Sequence, residues 1–383
     1  MASVDLERAY LDYNATAPLR ADARAAIMAA FELGGNPSSI HAEGRAARAA
    51  VEDARRAVGE FAGVAPRGIV FTSGGTEAAN LGLAPTGRCV RLIASAGEHP
   101  CVLAGHRFPP QDAMLAPLDA DGRIDLTALE VALDFGGPAM LGLQGANNET
   151  GVMQPVAEAA ALVHERGGVV VCDAVQLAGR MPLDARALGA DFLILSAHKF
   201  GGPKGAGALI SSHPELRLGS PLLRGGGQER GARAGTENVA GIVGFGAAAR
   251  LARAEAEREA VRLATLRDRL EASIFAAAPD AIVFGARAPR LPNTSCFAIP
   301  DIPAATLLMR LDLAGVAASS GSACSSGKVT RSHVLTAMGV APDLAAGAIR
   351  LSLGWASTQN DVELFARAFA PAVASLRRRR GAA

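Results

Sequence analysis

The sequence predicts an α/β protein, with a large domain built on a mostly parallel sheet covered by helices and a smaller α+β domain beside it. Two observations predict the large domain. Short apolar runs alternate with Ala-rich helical patterns through the first half of the chain. Several of those runs are apolar throughout, as strands buried on both faces must be. A third observation sets the division. From Val239 to Ala278 the chain reads as long helical segments rich in Ala, Arg and Glu, able to link two domains. The domain change is placed near residue 250, with the large domain over 14–250 and the small domain formed by 1–13 and 251–383.

The elements follow in order. Strands are read at 68–72, 91–95 and 139–143, with helices at 45–61, 77–83, 126–133 and 156–166. Val169-Val170-Val171-Cys172-Asp173 is a buried strand that ends in an acid, and 191–196 is a second such run, ending just before His198 and Lys199. Beyond the helical link, 293–299 and 348–354 read as strands, and 303–313 and 361–379 as helices. The run Arg377-Arg378-Arg379-Arg380 is a solvated helix end, where cations suit the dipole.

Bulk properties exclude several classes. The formal net charge of +1 gives no electrostatic reason to expect nucleic acid or an anionic membrane as partner. No apolar run is long enough to span a bilayer, and residues 1–8 lack the pattern of a secretory signal. Cys89, Cys101, Cys172, Cys296 and Cys324 form no close pair, so neither an intrinsic metal site nor a disulfide framework is expected. A reducing, cytoplasmic setting is the natural reading.

Lysine is the most informative residue type. It occurs only at Lys199, Lys204 and Lys328, among 38 basic residues. Arginine carries surface charge as well but cannot form an imine, so lysine retained at Lys199 marks a place where an amine is needed. Ligands of open α/β sheets bind at the carboxyl ends of strands, which brings Asp173, Gln176 and Lys199 to one crevice. An acid and a lysine so placed suit pyridoxal phosphate: the lysine binds the aldehyde and the acid keeps the pyridine nitrogen protonated. A structural salt bridge is the plainer alternative.

Other motifs sit at comparable places. Ser73-Gly74-Gly75-Thr76-Glu77 joins a strand to a helix, where amides of the helix start and the Thr76 hydroxyl suit a phosphate. Glu98-His99-Pro100 offers a histidine for acid–base work or for a structural hydrogen bond. Asn147-Asn148-Glu149-Thr150-Gly151 offers an amide at a strand end, equally suited to capping a loop. Residues 225–238 form a polar, Gly-rich loop that is not expected in the core and suits a lid, a phosphate contact or a subunit contact. Residues 319–328 surround Cys324 with small polar residues, and so are expected to form a mobile, exposed loop with a reactive thiol. The other four cysteines lie in or beside apolar runs and are expected to react slowly. Arg350, a charge inside an apolar strand pattern, needs a partner: a substrate carboxylate or an internal ion pair.

Taken together, these segments resemble the cysteine desulfurases of the NifS/IscS kind, in the class V group of fold type I pyridoxal-phosphate enzymes. The resemblance runs from Tyr10-Leu11-Asp12-Tyr13-Asn14-Ala15-Thr16 and Gly35-Asn36-Pro37-Ser38-Ser39-Ile40-His41 to Ser332-His333-Val334-Leu335 and the Arg350 strand. It implies a pyridoxal-phosphate-binding large domain and a small domain carrying Cys324. It implies Lys199 as the residue bonded to the cofactor, Asp173 at the pyridine nitrogen, His99 stacked on the ring, and Asn148 and Gln176 at ring substituents. Gly75, Thr76, Ser196 and His198 would hold the phosphate, with Thr236 reaching it from the second subunit of a homodimer. Arg350 and Asn148 would take the carboxylate of L-cysteine, and Cys324 would accept the sulfur as a persulfide while alanine leaves. A sulfur-acceptor or iron–sulfur scaffold protein is the implied partner, and Cys324 could transiently ligate a cluster. The acceptor stays open between iron–sulfur assembly, nitrogenase and transfer-RNA thiolation.

Three stretches depart from the family pattern: a compact 104–115 with Pro109-Pro110, Leu143-Gln144-Gly145-Ala146 before the asparagine pair, and Leu353-Gly354-Trp355-Ala356-Ser357 after the Arg350 strand. None removes a catalytic group. The rival readings are a selenocysteine lyase or other class V aminotransferase-like enzyme, and a sulfur carrier without cofactor.

Overall fold

A computed structural model of the chain describes residues 7–213, 219–320 and 331–381. The chain opens with β1 (Ala9–Tyr10), α1 (Ala21–Phe31) and α2 (Ala42–Ala62). It continues through β2 (Ile69–Thr72), α3 (Gly75–Gly82), β3 (Arg91–Ser95), α4 (Pro100–Leu103), β4 (Ala113–Ala116), α5 (Leu126–Leu133) and β5 (Ala139–Gln144). Then come α6 (Val156–Glu165), β6 (Val169–Asp173), β7 (Phe192–Ser196) and β8 (Gly207–Ser211).

These strands form one seven-stranded sheet in the order β2-β8-β7-β6-β5-β3-β4. All pairings are parallel except those of β8, which runs antiparallel to both β2 and β7. Every residue of β5, β6 and β7 is buried, which is why their sequences are apolar without alternation. Side chains cap the helices that cover the sheet: Asp125 accepts from Thr127 N and Ala128 N at the start of α5, and Asn238 accepts from Gly241 N at the start of the next helix.

That helix is α7 (Val239–Ala277). Its first half packs into the core of the seven-stranded sheet through Ile242, Phe245, Ala248, Ala249 and Ala252. Its second half, through Leu263, Leu266, Leu270 and Ile274, belongs to a separate apolar cluster that also holds Ala9 and Leu11. The remaining elements are β9 (Ile282–Val283), β10 (Thr294–Ala298), α8 (Ala304–Leu313), β11 (Val316–Ala317), β12 (Ser319–Ser320), α9 (His333–Ala337), α10 (Pro342–Ala346), β13 (Ile349–Ser352) and α11 (Gln359–Gly381). A four-stranded antiparallel sheet, β12-β13-β10-β9, and a parallel β1-β11 pair complete this second unit. Among the described residues no helix is long and apolar enough to cross a membrane.

The polar loop 225–238 departs from expectation. Glu229 is 7% exposed and receives a bidentate ion pair from Arg55, at 2.8 Å to each oxygen. The backbone N–H of Phe71 in β2 donates to the same carboxylate at 3.0 Å. The loop is therefore pinned to the core at its centre, and the carboxylate offsets the left-handed conformations of Glu229 (φ 46°) and Arg230 (φ 56°). The compact stretch with Pro109-Pro110 forms a single 3-10 turn, Pro110–Asp112, that leads into edge strand β4.

Candidate active site

The carboxyl ends of β5, β6 and β7 open into a cavity of about 490 Å³. Each strand delivers a polar group there as its apolar run ends: Gln144 from β5, Asp173 from β6, and Ser196 from β7, followed by His198 and Lys199 in a 3-10 turn. The N-terminus of α3 forms the facing rim with Gly74, Gly75 and Thr76. Gly207 has to be glycine here, because a Cβ would lie 2.6 Å from the Gly74 carbonyl carbon. His99 and Asn148 complete the wall.

Asp173 accepts a hydrogen bond from Val175 N at 2.9 Å. Burial pushes its carboxyl up to about 6, against the Val175 hydrogen bond and the charge of Lys199. Lys199 Nζ donates to the carbonyls of Asn14 (2.6 Å) and Ala15 (2.9 Å). Gln176 Nε2 donates to the same Asn14 carbonyl, and its Oε1 is buried with no hydrogen-bond partner. His99 caps α4: its Nδ1 accepts from Cys101 N at 3.1 Å, which assigns the ring proton to Nε2. Burial, then the charges of Lys199 and His333, lowers His99 to about 4. His198 pairs with Thr16 Oγ1 at 3.1 Å, and burial followed by the charges of Lys199, Lys204 and Arg180 lowers it to about 4 as well. Both imidazoles are therefore neutral near pH 7.

The turns that carry these groups are tied to one another. Gly97 O accepts from Gln144 Nε2 (2.7 Å) and Asn147 Nδ2 (3.0 Å), and Glu98 Oε1 accepts from Gln144 N (2.7 Å). His333 Nε2 donates to Glu98 O at 2.9 Å, and Ser332 Oγ lies 2.6 Å from Glu149 Oε2. The first residues after 330 thus sit directly against the turns bearing His99 and Asn148.

Arg350, 1% exposed, does not line the cavity. It donates to Asn148 O at 3.0 Å and to Asp12 Oδ1 at 2.8 Å. Thr236 lies outside as well, in an adjoining cavity of about 170 Å³ that shares Ser73 and Gly205 with the first. Cys324 and Lys328 fall outside the described residues. Cys89, Cys172 and Cys296 are buried, and burial raises each thiol. Cys101, read only as part of an apolar run, lines the cavity, and burial pushes its thiol well up too. Thr16 and Gln144 are further wall residues to which sequence reasoning gave no role.

A pyridoxal phosphate fits these residues. A protonated ring nitrogen would supply the cation that buried Asp173 lacks, Gln176 Oε1 is an unsatisfied acceptor, and the Gly74-Gly75-Thr76 rim leaves backbone amides for a phosphate.

A sheet whose strand ends gather a lysine, a buried acid and a glycine-rich helix start defines a cofactor-binding α/β protein. The chain belongs to the aminotransferase class-V family, whose pattern matches residues 9–365. Members of that family use pyridoxal phosphate. The chain is 45% identical to a cysteine desulfurase of Cereibacter sphaeroides, over 97% of each chain. It is 40% identical to the cysteine desulfurase IscS of Dictyoglomus turgidum, over 92% of this chain and 91% of that one. Among solved structures it resembles a NifS-like protein from Rickettsia africae, with a TM-score of 0.86 and 33% identity over 96% of this chain and 99% of the other.

Proposed function

We propose that this protein is a pyridoxal-phosphate-dependent cysteine desulfurase, which converts L-cysteine to L-alanine and places the sulfur on Cys324 as a persulfide. The convergence of Lys199, Asp173 and His99 on one cavity carries this reading, in a chain whose relatives over nearly its whole length are cysteine desulfurases. The protein acts as a cytoplasmic homodimer and hands sulfur to an acceptor such as an iron–sulfur scaffold protein.

Lys199 would hold the cofactor covalently, Asp173 its ring nitrogen, and Asn148 and Gln176 its ring substituents, under the His99 ring. Gly75, Thr76, Ser196 and His198 would hold the phosphate, with Thr236 contributed by the second subunit. When bound, the cofactor supplies an electron sink that makes the substrate Cβ–S bond breakable.

The chain's own groups do the rest. Arg350, with Asn148, fixes the substrate carboxylate. The Lys199 amine takes the substrate Cα proton. His99, neutral and carrying its proton on Nε2, is placed to donate it. The Cys324 thiolate attacks the substrate sulfur from about 3–3.5 Å. A Cys324 S–S bond forms as the Cβ–S bond breaks. The electron pair of the broken bond stays on carbon, which takes up a proton and leaves as alanine. Incubating the cofactor-loaded protein with L-cysteine and a thiol reductant tests this reading. Alanine and sulfide in equal amounts are expected; pyruvate in place of alanine would contradict it.

A further inference from the structure

Asp12 stands outside the mechanism above and makes two side-chain contacts, one with each oxygen. Oδ1 accepts from Arg350 at 2.8 Å, and Oδ2 accepts from Ser319 Oγ at 3.0 Å. Its backbone is fixed independently, by a parallel bridge to Ser352 and by Ser352 N donating to Leu11 O at 2.8 Å.

Both contacts lead to the reaction. Arg350 also donates to Asn148 O, which receives Asn14 Nδ2 at 3.1 Å as well, and the carbonyl of Asn14 receives Lys199. Residues 12–14 therefore run as one strip from the carboxylate-binding arginine to the reactive lysine. On the other side, Ser319 belongs to β12, which pairs with β13 in the register Ser319↔Arg350. From the end of β12 the chain enters 321–330, the stretch that holds Cys324.

Charge sharpens the case. Arg180 is buried near Arg350, and burial, then the charge of Arg350, lowers it to about 9. Arg180 donates only to the carbonyls of Gln176, Ala178 and Tyr13 and to Asn14 Oδ1, and Arg350 Nε has no hydrogen-bond partner. Among the described residues, Asp12 is the one carboxylate in ion-pair contact with either guanidinium. A buried ion pair is a poor device for stability alone, since apolar replacements often do as well. It does fix one orientation of a guanidinium.

Building on the proposed desulfurase function, we infer that Asp12 is a positioning residue: one carboxylate oxygen orients Arg350 for the substrate carboxylate, and the other, through Ser319, holds the strand end that leads to Cys324. Substrate reading and sulfur acceptance are thereby set from a single side chain.

Two measurements on the cofactor-loaded protein separate the arms. Affinity for L-alanine, which carries the carboxylate but no sulfur, is read from the absorbance of the bound cofactor. Persulfide formation on Cys324 is followed in a single turnover with L-cysteine. Asp12→Ala should weaken alanine about tenfold or more. Asp12→Asn, which keeps an acceptor for Arg350 but not the charge, should fall between it and wild type. Ser319→Ala should bind alanine within about twofold of wild type yet form persulfide about fivefold more slowly. Wild-type alanine affinity in both Asp12 variants, or a wild-type persulfide rate in Ser319→Ala, overturns the inference. Should Asp12→Ala not fold, the other two variants decide the matter. No persulfide on wild-type Cys324 would instead overturn the desulfurase reading, and this inference with it.

Discussion

Replacing Glu149 by glutamine should change how stability depends on pH, in a direction set by burial. Glu149 is 4% exposed, and its only printed side-chain contact is Ser332 Oγ at 2.6 Å. Burial lifts its carboxyl from 4.5 to about 7, against the Ser332 hydrogen bond and the charge of Arg350. The native protein thus holds a proton here that the unfolded chain releases above about 4.5. Stability linked to that proton is fully present below 4.5 and is lost as pH rises through 7. At about 1.4 kcal/mol per pK unit, the loss is about 3 kcal/mol. Glutamine cannot ionise and keeps the shape, so Glu149→Gln should gain about that much on wild type between pH 4.5 and 8. The other groups cancel in the difference, including His99 and His198, whose lowered values act in the opposite sense. The assay is urea unfolding of both cofactor-free proteins across that range. A difference that stays constant with pH would refute the reasoning.

Borohydride reduction of the cofactor-loaded protein, followed by peptide mapping, should place the pyridoxyl group on Lys199 and not on Lys204. Removing Arg350 should mainly weaken cysteine binding, by about 1.5–3 kcal/mol for a charge-assisted contact, whereas removing His99 should slow turnover more than binding; steady-state kinetics separate the two. Glu229→Ala strands the Arg55 guanidinium in the core and should cost about 3–5 kcal/mol in chemical denaturation, whereas a smaller loss would mean that the 225–238 loop is not held by this pair.

The buried strands were legible because full burial leaves only apolar residues, and each run stops where its polar site residue begins, as at Asp173 and Ser196. β4 was not legible: it lies on the sheet edge with Met114 and Leu115 exposed, so nothing distinguishes it from the proline-rich turn before it. β8 was hidden because Gly207–Ser211 follows a glycine-rich turn that reads as loop. Helix α1 is Ala-rich and buries only Ala23 and Ala30, a weak amphipathic signal. The cavity groups on strand ends were read from local motifs. Pairings across the fold were not: Arg350 announced that it needed a partner, but Asp12 is 338 positions away. Nor does a glycine-rich, polar stretch around Glu229 reveal that its carboxylate reaches a buried arginine 174 positions earlier.

The central claim is that sulfur leaves L-cysteine by way of Cys324. The most direct measurement is mass-spectrometric mapping of the persulfide after one turnover, with alanine counted in parallel, on wild type and on Cys324→Ala. The account predicts a persulfide on Cys324 alone in the wild type. Cys324→Ala should still bind the cofactor and L-cysteine, because Lys199 and the phosphate contacts are untouched, but release almost no alanine. Full alanine release by Cys324→Ala, or a wild-type persulfide on Cys101 or another cysteine, would contradict it.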